Sequence, residues 1–170
     1  LNRKAGRVRV FELGRVFRRD PSVCAGPLSV GSVHQPMRLA ALAFRSESEE
    51  QWGVPARQAD FYDVKGDLEA LCRSAELRFA PGLHPALHPG RSARVLLAGE
   101  LIGWLGELHP RWQQEYELPA SPVLFEIDVE PILPQALPVA VPVPRFPEVV
   151  RDIALWFGES VHLQQIVDVV

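Results

Sequence analysis

The chain has 170 residues, of which 47% are hydrophobic and 23% charged, and a formal net charge of −3. That length suits one medium domain, or one domain with a fragment of another, and that composition suits a packed globular core. The charge balance excludes a global pull toward nucleic acid or membrane, so any RNA contact must come from a local patch. Cys24 and Cys72 have neither metal-ligand spacing nor a framework of partners, which fits a reducing cytoplasm. No apolar run reaches membrane-spanning length, and the start LNRKAGRVRV has no signal-peptide core. Without an initiator Met, the chain is expected to begin partway through a longer polypeptide. Its 16 prolines point to a loop-rich α+β protein.

In chain order, Gly6–Phe17 alternates as a strand, with Val8 and Val10 on one face and Arg7 and Arg9 on the other. Gly14 interrupts it as a bulge would, ahead of Val16 and Phe17. Asp20–Pro36, rich in Gly, Pro and Ser, reads as an irregular connection. Met37–Arg45 follows a proline and is assigned as a strand, and Glu47–Gly53 as a polar turn or short helix. Asp60–Leu77 carries the strongest helical pattern. Val64, Leu68, Leu71, Cys72 and Ala75 share one buried face, and Asp60 or Asp63 caps the start. Gly66, unfavourable within a helix, suggests close packing there. Leu77–Pro81 is a short strand.

Leu83–Pro110 organises the rest. Two apolar runs, Ala93–Ala98 and Leu101–Leu108, flank a tight Gly99-Glu100 connection and predict a hairpin in the middle of an antiparallel sheet. Pro89-Gly90 starts the hairpin and Pro110 stops it. Gly103 and Gly106 in the second run suggest a bulge or another backbone passing close by. Pro110–Glu117 opens a helix with proline in its first turn. Val123–Val129 is a strand with Glu126 and Asp128 opposite Phe125, Ile127 and Val129. Pro131–Pro144 has five prolines and no charge, and reads as a semi-rigid extended connector. Beyond it, Arg151–Phe157 predicts a strand and Ser160–Val170 a helix capped by Ser160, together too little to enclose a core.

Few of these residues suggest chemistry. His84 and His88 stand four apart, but Pro85 and Pro89 exclude the helix that would make them a metal pair, so they are read as turn histidines. The glycines around Gly103 lie in a strand, where they cannot form a phosphate cradle. Glu126 and Asp128 can act as an acid/base pair or bind magnesium, although a solvated strand face is the simpler reading. Arg91 with Arg94, and Arg145 with Arg151, can each touch phosphate. None of these makes an active site on its own.

The blocks VFELGRVF (Val10–Phe17), DFYDVKGDLEALC (Asp60–Cys72), LHPGRSARVLL (Leu87–Leu97), GWLGELHP (Gly103–Pro110), FEIDVEPIL (Phe125–Leu133) and RFPEVVRDIAL (Arg145–Leu155) resemble, in order, the β subunit of bacterial phenylalanyl-tRNA synthetase. The resemblance spans nearly the whole chain. It implies a class II synthetase-like module over residues 1–133, an antiparallel sheet flanked by helices. It further implies a linker over 134–144 and the start of a ferredoxin-fold anticodon-binding domain over 145–170.

In that family the α subunit aminoacylates, with ATP and Mg2+ serving the holoenzyme, and the module in β is a silent copy. A working class II site carries Gly-x-Gly-x-x-Arg, whose arginine meets ATP phosphate. The strand that resembles it here reads Phe125-Glu126-Ile127-Asp128-Val129-Glu130, with three carboxylates that would repel a triphosphate. The resemblance therefore implies no catalytic, cofactor or metal residue in this chain, and places the editing site and the magnesium-linked parts of β upstream of Leu1. It implies an α-subunit partner, a tRNA partner through the C-terminal domain, and cytoplasmic localisation. Arg145 and Arg151 are the candidate tRNA contacts, with an ion pair to Glu148 or Asp152 as the alternative fate. A second class of function stays open: a free-standing metal-dependent enzyme using Glu126, Asp128 and Glu130.

Overall fold

A computed structural model describes residues 5–72, 76–133, 145–147 and 149–169. The chain divides into two compact units, Leu1–Ala136 and Leu137–Val170. In chain order the first holds β1 (Arg7–Arg15), β2 (Arg18–Arg19), β3 (Val33–His34), β4 (Met37–Arg45), α1 (Phe61–Leu71), β5 (Leu77–Pro81), β6 (Leu87–Leu97), β7 (Glu100–Leu108), α2 (Pro110–Glu115) and β8 (Val123–Asp128). Six of its strands form one sheet ordered β1-β4-β8-β7-β6-β5, with every neighbouring pair antiparallel. The α+β class read from the sequence is thus correct. The predicted hairpin, β6 with β7, sits off centre: β7 and β8 form the middle and β6 lies next to the edge.

The hairpin turn falls one residue earlier than the sequence suggested. Ala98 and Gly99 have φ of 51° and 86°, the two left-handed positions that a tight hairpin turn demands, while Glu100 already pairs with Leu97. Val95 pairs with Gly103 and Leu96 with Leu101, so Ile102 is an added residue, the bulge expected in this run. Both glycines admit a close backbone. A Cβ on Gly103 would lie 2.1 Å from the Glu126 carbonyl oxygen, and one on Gly106 would lie 2.7 Å from the Arg91 carbonyl oxygen. Gly14 behaves otherwise. The β1–β4 ladder runs unbroken from Arg7 opposite Arg45 to Arg15 opposite Met37, so no bulge forms there, and the strand ends before Val16 and Phe17.

Alternation along the strands gives the sheet one apolar face. Ala43, Val95, Leu105, Val123, Phe125 and Ile127 meet Val64, Leu68 and Cys72 of the helical segment in a single core. Leu71, expected on the same helical stripe, is 55% exposed. The buried stripe is one residue wide at that turn, and Leu71 falls on its solvent side. The helix stops at Leu71, with Cys72 as its cap, well short of the predicted Leu77.

Its start follows the sequence closely. Asp60 Oδ1 accepts the N–H groups of Tyr62 (2.8 Å) and Asp63 (3.1 Å), and Asp63 Oδ2 accepts the Asp60 N–H (2.8 Å), a reciprocal capping box. A hydrogen bond from Arg57, 2.6 Å away, holds the Asp63 carboxyl below its usual range, with help from the Asp60 amide and against the effect of burial. A carboxyl lowered in the folded state adds stability that is complete above the unfolded value of about 3.9 and fades as pH falls through the folded value. Asp63→Asn is therefore expected to cost about 1 kcal/mol at pH 7. Its urea midpoint should converge with that of the wild type as pH falls through the lowered folded value. A gap that stayed constant with pH would contradict this account.

Gly66 is exposed, and a Cβ there would meet nothing within 4 Å, so the close packing expected from the sequence is absent. Gly66→Ala is expected to stabilise the unit by about 1 kcal/mol, read as a higher urea midpoint. No change or a decrease would show that the helix is held by something other than its own propensity.

In the second unit the regular element among the described residues is α3 (Leu163–Val167). It starts three residues after the predicted cap Ser160, with Gln165 Oε1 accepting the His162 N–H at 2.9 Å. The predicted strand over Arg151–Phe157 does not form among the described residues. An apolar run becomes a strand only beside a ladder partner, and here Trp156 is fully exposed. Pro131 lies in a 3-10 turn, Glu130–Ile132; the remainder of the expected connector, 134–144, lies outside the described residues.

Candidate functional site

The three carboxylates singled out on β8 and just after it are all engaged. β4 lies against β8 with Arg38 opposite Asp128, which brings the guanidinium between the two acidic side chains on the sheet face away from α1. Arg38 Nη1 donates to Glu126 Oε1 at 2.5 Å, and Arg38 Nε stands 2.9 Å from Asp128 Oδ1. That second contact has ion-pair distance without hydrogen-bond alignment, which leaves both of its atoms buried and formally unbonded. Glu130 Oε1 accepts the Met37 N–H at 2.8 Å, and this bond is the main cause of its lowered carboxyl pKa. The trio serves to tie β8 to β4, and no group of His, Cys, Asp or Glu among the described residues is arranged to hold a metal ion.

A broad concavity lies on the other face. It is an apolar groove of about 620 Å³ between α1 and β1, lined by Phe11, Leu13, Leu39, Phe125, Ile132 and Leu133 among others. The Arg9–Asp67 ion pair stands in its wall. Phe11 is 79% exposed, because α1 covers the centre of the sheet and leaves the β1 edge bare. The carboxylate in its lining, Asp67, is paired with Arg9; what the groove can do is accept another apolar surface.

His84 and His88 do not act as a pair. Each accepts, through Nδ1, the N–H of the residue two positions on, Ala86 at 3.3 Å and Gly90 at 3.0 Å. His109 does the same with Arg111 at 3.1 Å. All three precede proline, so His-Pro-x is a recurring turn device in this chain. The turn role of His84 and His88 was readable from their prolines, but the imidazole acceptor was not. Arg91 pairs with Glu107 at 2.9 Å, whereas no ion pair of Arg94 is found among the described residues. Arg145 and Arg151 are exposed and form no ion pair among the described residues; Glu148, one expected partner, lies outside them.

The family model described as "Phenylalanyl tRNA synthetase beta chain CLM domain" matches residues 1–129, ending one residue past β8. The chain belongs to that family. Over 168 residues it is 56% identical to the phenylalanine–tRNA ligase β subunit of Ralstonia nicotianae, and 55% identical to that of Burkholderia pseudomallei. Over 171 residues it is 54% identical to that of Bordetella parapertussis. Each match covers 99% of this chain and 21% of the relative, so the chain spans about a fifth of the length of these β subunits. The resemblance read from the blocks is thereby confirmed at the level of the β-chain family. Sequence reasoning missed Arg38, whose role depends on a strand partner 88 residues away. Its only signal was a cation at the head of a strand that is apolar from Leu39 to Phe44.

Proposed function

We propose that this chain is a catalytically silent, class II synthetase-like module of a phenylalanine–tRNA ligase β subunit, followed by the start of a ferredoxin-fold anticodon-binding domain. On this reading, residues 1–133 are the module, 134–144 the linker and 145–170 the incomplete second domain. The holoenzyme attaches phenylalanine to its tRNA in the cytoplasm with ATP and Mg2+. This part associates with the α subunit and positions the tRNA-binding domain. The antiparallel sheet carrying α1 on one face supports the class II likeness. Among the described residues no helix is long and apolar enough to cross a membrane, which is compatible with that setting.

The observation that carries the proposal is the state of β8. Where a working site would place a phosphate-binding arginine, this strand presents Glu126 and Asp128, both paired with Arg38 from the neighbouring strand. The apolar groove at the β1 edge gives a partner subunit something to cover. The test is a pull-down of the chain with the matching α subunit, alongside measurement of ATP and phenylalanine binding by the chain alone. Capture of α without ligand binding is the expected result. Specific ATP binding without capture of α would overturn it in favour of an acidic active site.

A further inference from the structure

We propose that the arm of residues 15–36 binds RNA, holding a single-stranded stretch of the tRNA by its phosphates and one base; this rests on the tRNA-ligase reading above. The arm is a continuation of the β1–β4 hairpin. Arg15 pairs with Met37, Arg18 with His34 and Arg19 with Val33, so one register runs through both ladders, and Val16 N–H bonds to the Pro36 carbonyl between them at 3.1 Å. β1 is an edge strand, and the β2–β3 ribbon belongs to a separate two-stranded sheet, so the arm extends beyond the main sheet.

At the period of two set by extended chain, Arg15, Phe17 and Arg19 fall along one side of this arm. Arg18 and His34 face each other across the ribbon. All five side chains are exposed, Phe17 by 70%. Elsewhere in the unit, Arg9, Arg38, Arg57 and Arg91 each pair with a carboxylate. Among the described residues Arg15, Arg18 and Arg19 form no such ion pair; Arg15 donates to the Gln35 carbonyl at 2.7 Å, and Arg15 and His34 act on the Glu130 carboxylate only through space. The nearest acid in sequence, Asp20, is turned back onto Ser22, accepting from its N–H and its hydroxyl. The result is a local basic strip on a chain of net charge −3, with Phe17 standing between Arg15 and Arg19 in the alternation. Single-stranded nucleic acid is bound in this way: cations follow the backbone while a base stacks on an aromatic face. An apolar protein partner would gain little from the unpaired charges, and duplex RNA has no splayed base to offer Phe17.

The experiment uses the full β subunit assembled with its α subunit, and measures the Kd for a tRNA transcript by fluorescence anisotropy over a series of salt concentrations. Phe17→Ala is expected to weaken binding by about tenfold, the loss of one stacked base. Arg19→Gln should weaken it severalfold and flatten the log Kd against log salt slope by about 0.7, one phosphate contact on a single strand. Arg91→Gln, whose guanidinium is occupied by Glu107, should leave the slope alone. Wild-type Kd and slope in both arm variants would overturn the inference while leaving the ligase reading intact. An equal loss on a duplex RNA probe would overturn the single-strand assignment. A wild-type assembly that bound no tRNA would overturn the ligase reading and this inference together.

Discussion

Gly103→Ala is expected to destabilise the first unit by about 3 kcal/mol or more, enough to unfold a marginal domain at moderate temperature. The cause is space, with no contribution from backbone torsion, since the φ of Gly103 is not in the left-handed region. An added methyl would lie 2.1 Å from the Glu126 carbonyl oxygen and 2.7 Å from the Ile127 Cα, both backbone atoms of the neighbouring strand. Neither can swing aside as a side chain does, so β7 and β8 must separate at the centre of the sheet, where Val95, Leu105 and Ile127 are fully buried. Gly106→Ala should follow at a somewhat smaller cost, because its nearest atoms, at 2.7 and 2.9 Å, are less intrusive. Urea unfolding followed by far-ultraviolet circular dichroism checks the ranking. A Gly103→Ala midpoint equal to that of the wild type would show that the β7–β8 seam lies farther apart than described.

The three glycines Gly14, Gly66 and Gly103 show what was and was not legible beforehand. Each was read as a site of special backbone or packing, and only the last is one. The difference lies in what passes opposite, which is set by strand order and by register between segments more than 20 residues apart. Period-two and period-3.6 patterns, in contrast, are local. They located β4, β5 and β8 to within a residue and identified the cap of α1, because burial of one face and satisfaction of the first helical N–H groups are decided within a few residues. The turn lies one residue earlier because Ala98, which has no intrinsic preference for that conformation, is held left-handed by the ladder on either side. The expected strand Arg151–Phe157 failed for a complementary reason, having the composition of a strand without a described neighbour to pair with. The acidic positions were legible as a candidate site but not as an occupied one, since Arg38 reaches them only through the β4–β8 pairing.

That occupation gives the second large effect. Arg38→Met is expected to cost about 2 kcal/mol at pH 7. Removing one partner of a buried ion pair costs about 3–5 kcal/mol, and this site is only partly shielded. The arginine side chain is 14% exposed, but the side chains of Glu126 and Asp128 retain 45% and 29% of their surface. Without Arg38, two carboxylates two residues apart on one strand face repel each other, and both lose their cation. Adding Glu126→Gln and Asp128→Asn to Arg38→Met should then recover most of the loss, since neutral groups no longer need the guanidinium. The cycle of urea midpoints isolates that coupling. The same variants separate a structural tie from an acidic metal site. If Arg38 owns the two carboxylates, millimolar Mg2+ should leave the wild-type melting temperature unchanged, because a ligand stabilises only the state it binds. If the carboxylates form a working cation site, Mg2+ should stabilise the wild type and lose that effect in the Glu126→Gln, Asp128→Asn chain. That second outcome would return β8 to the status of a catalytic strand and remove the main support for a silent module.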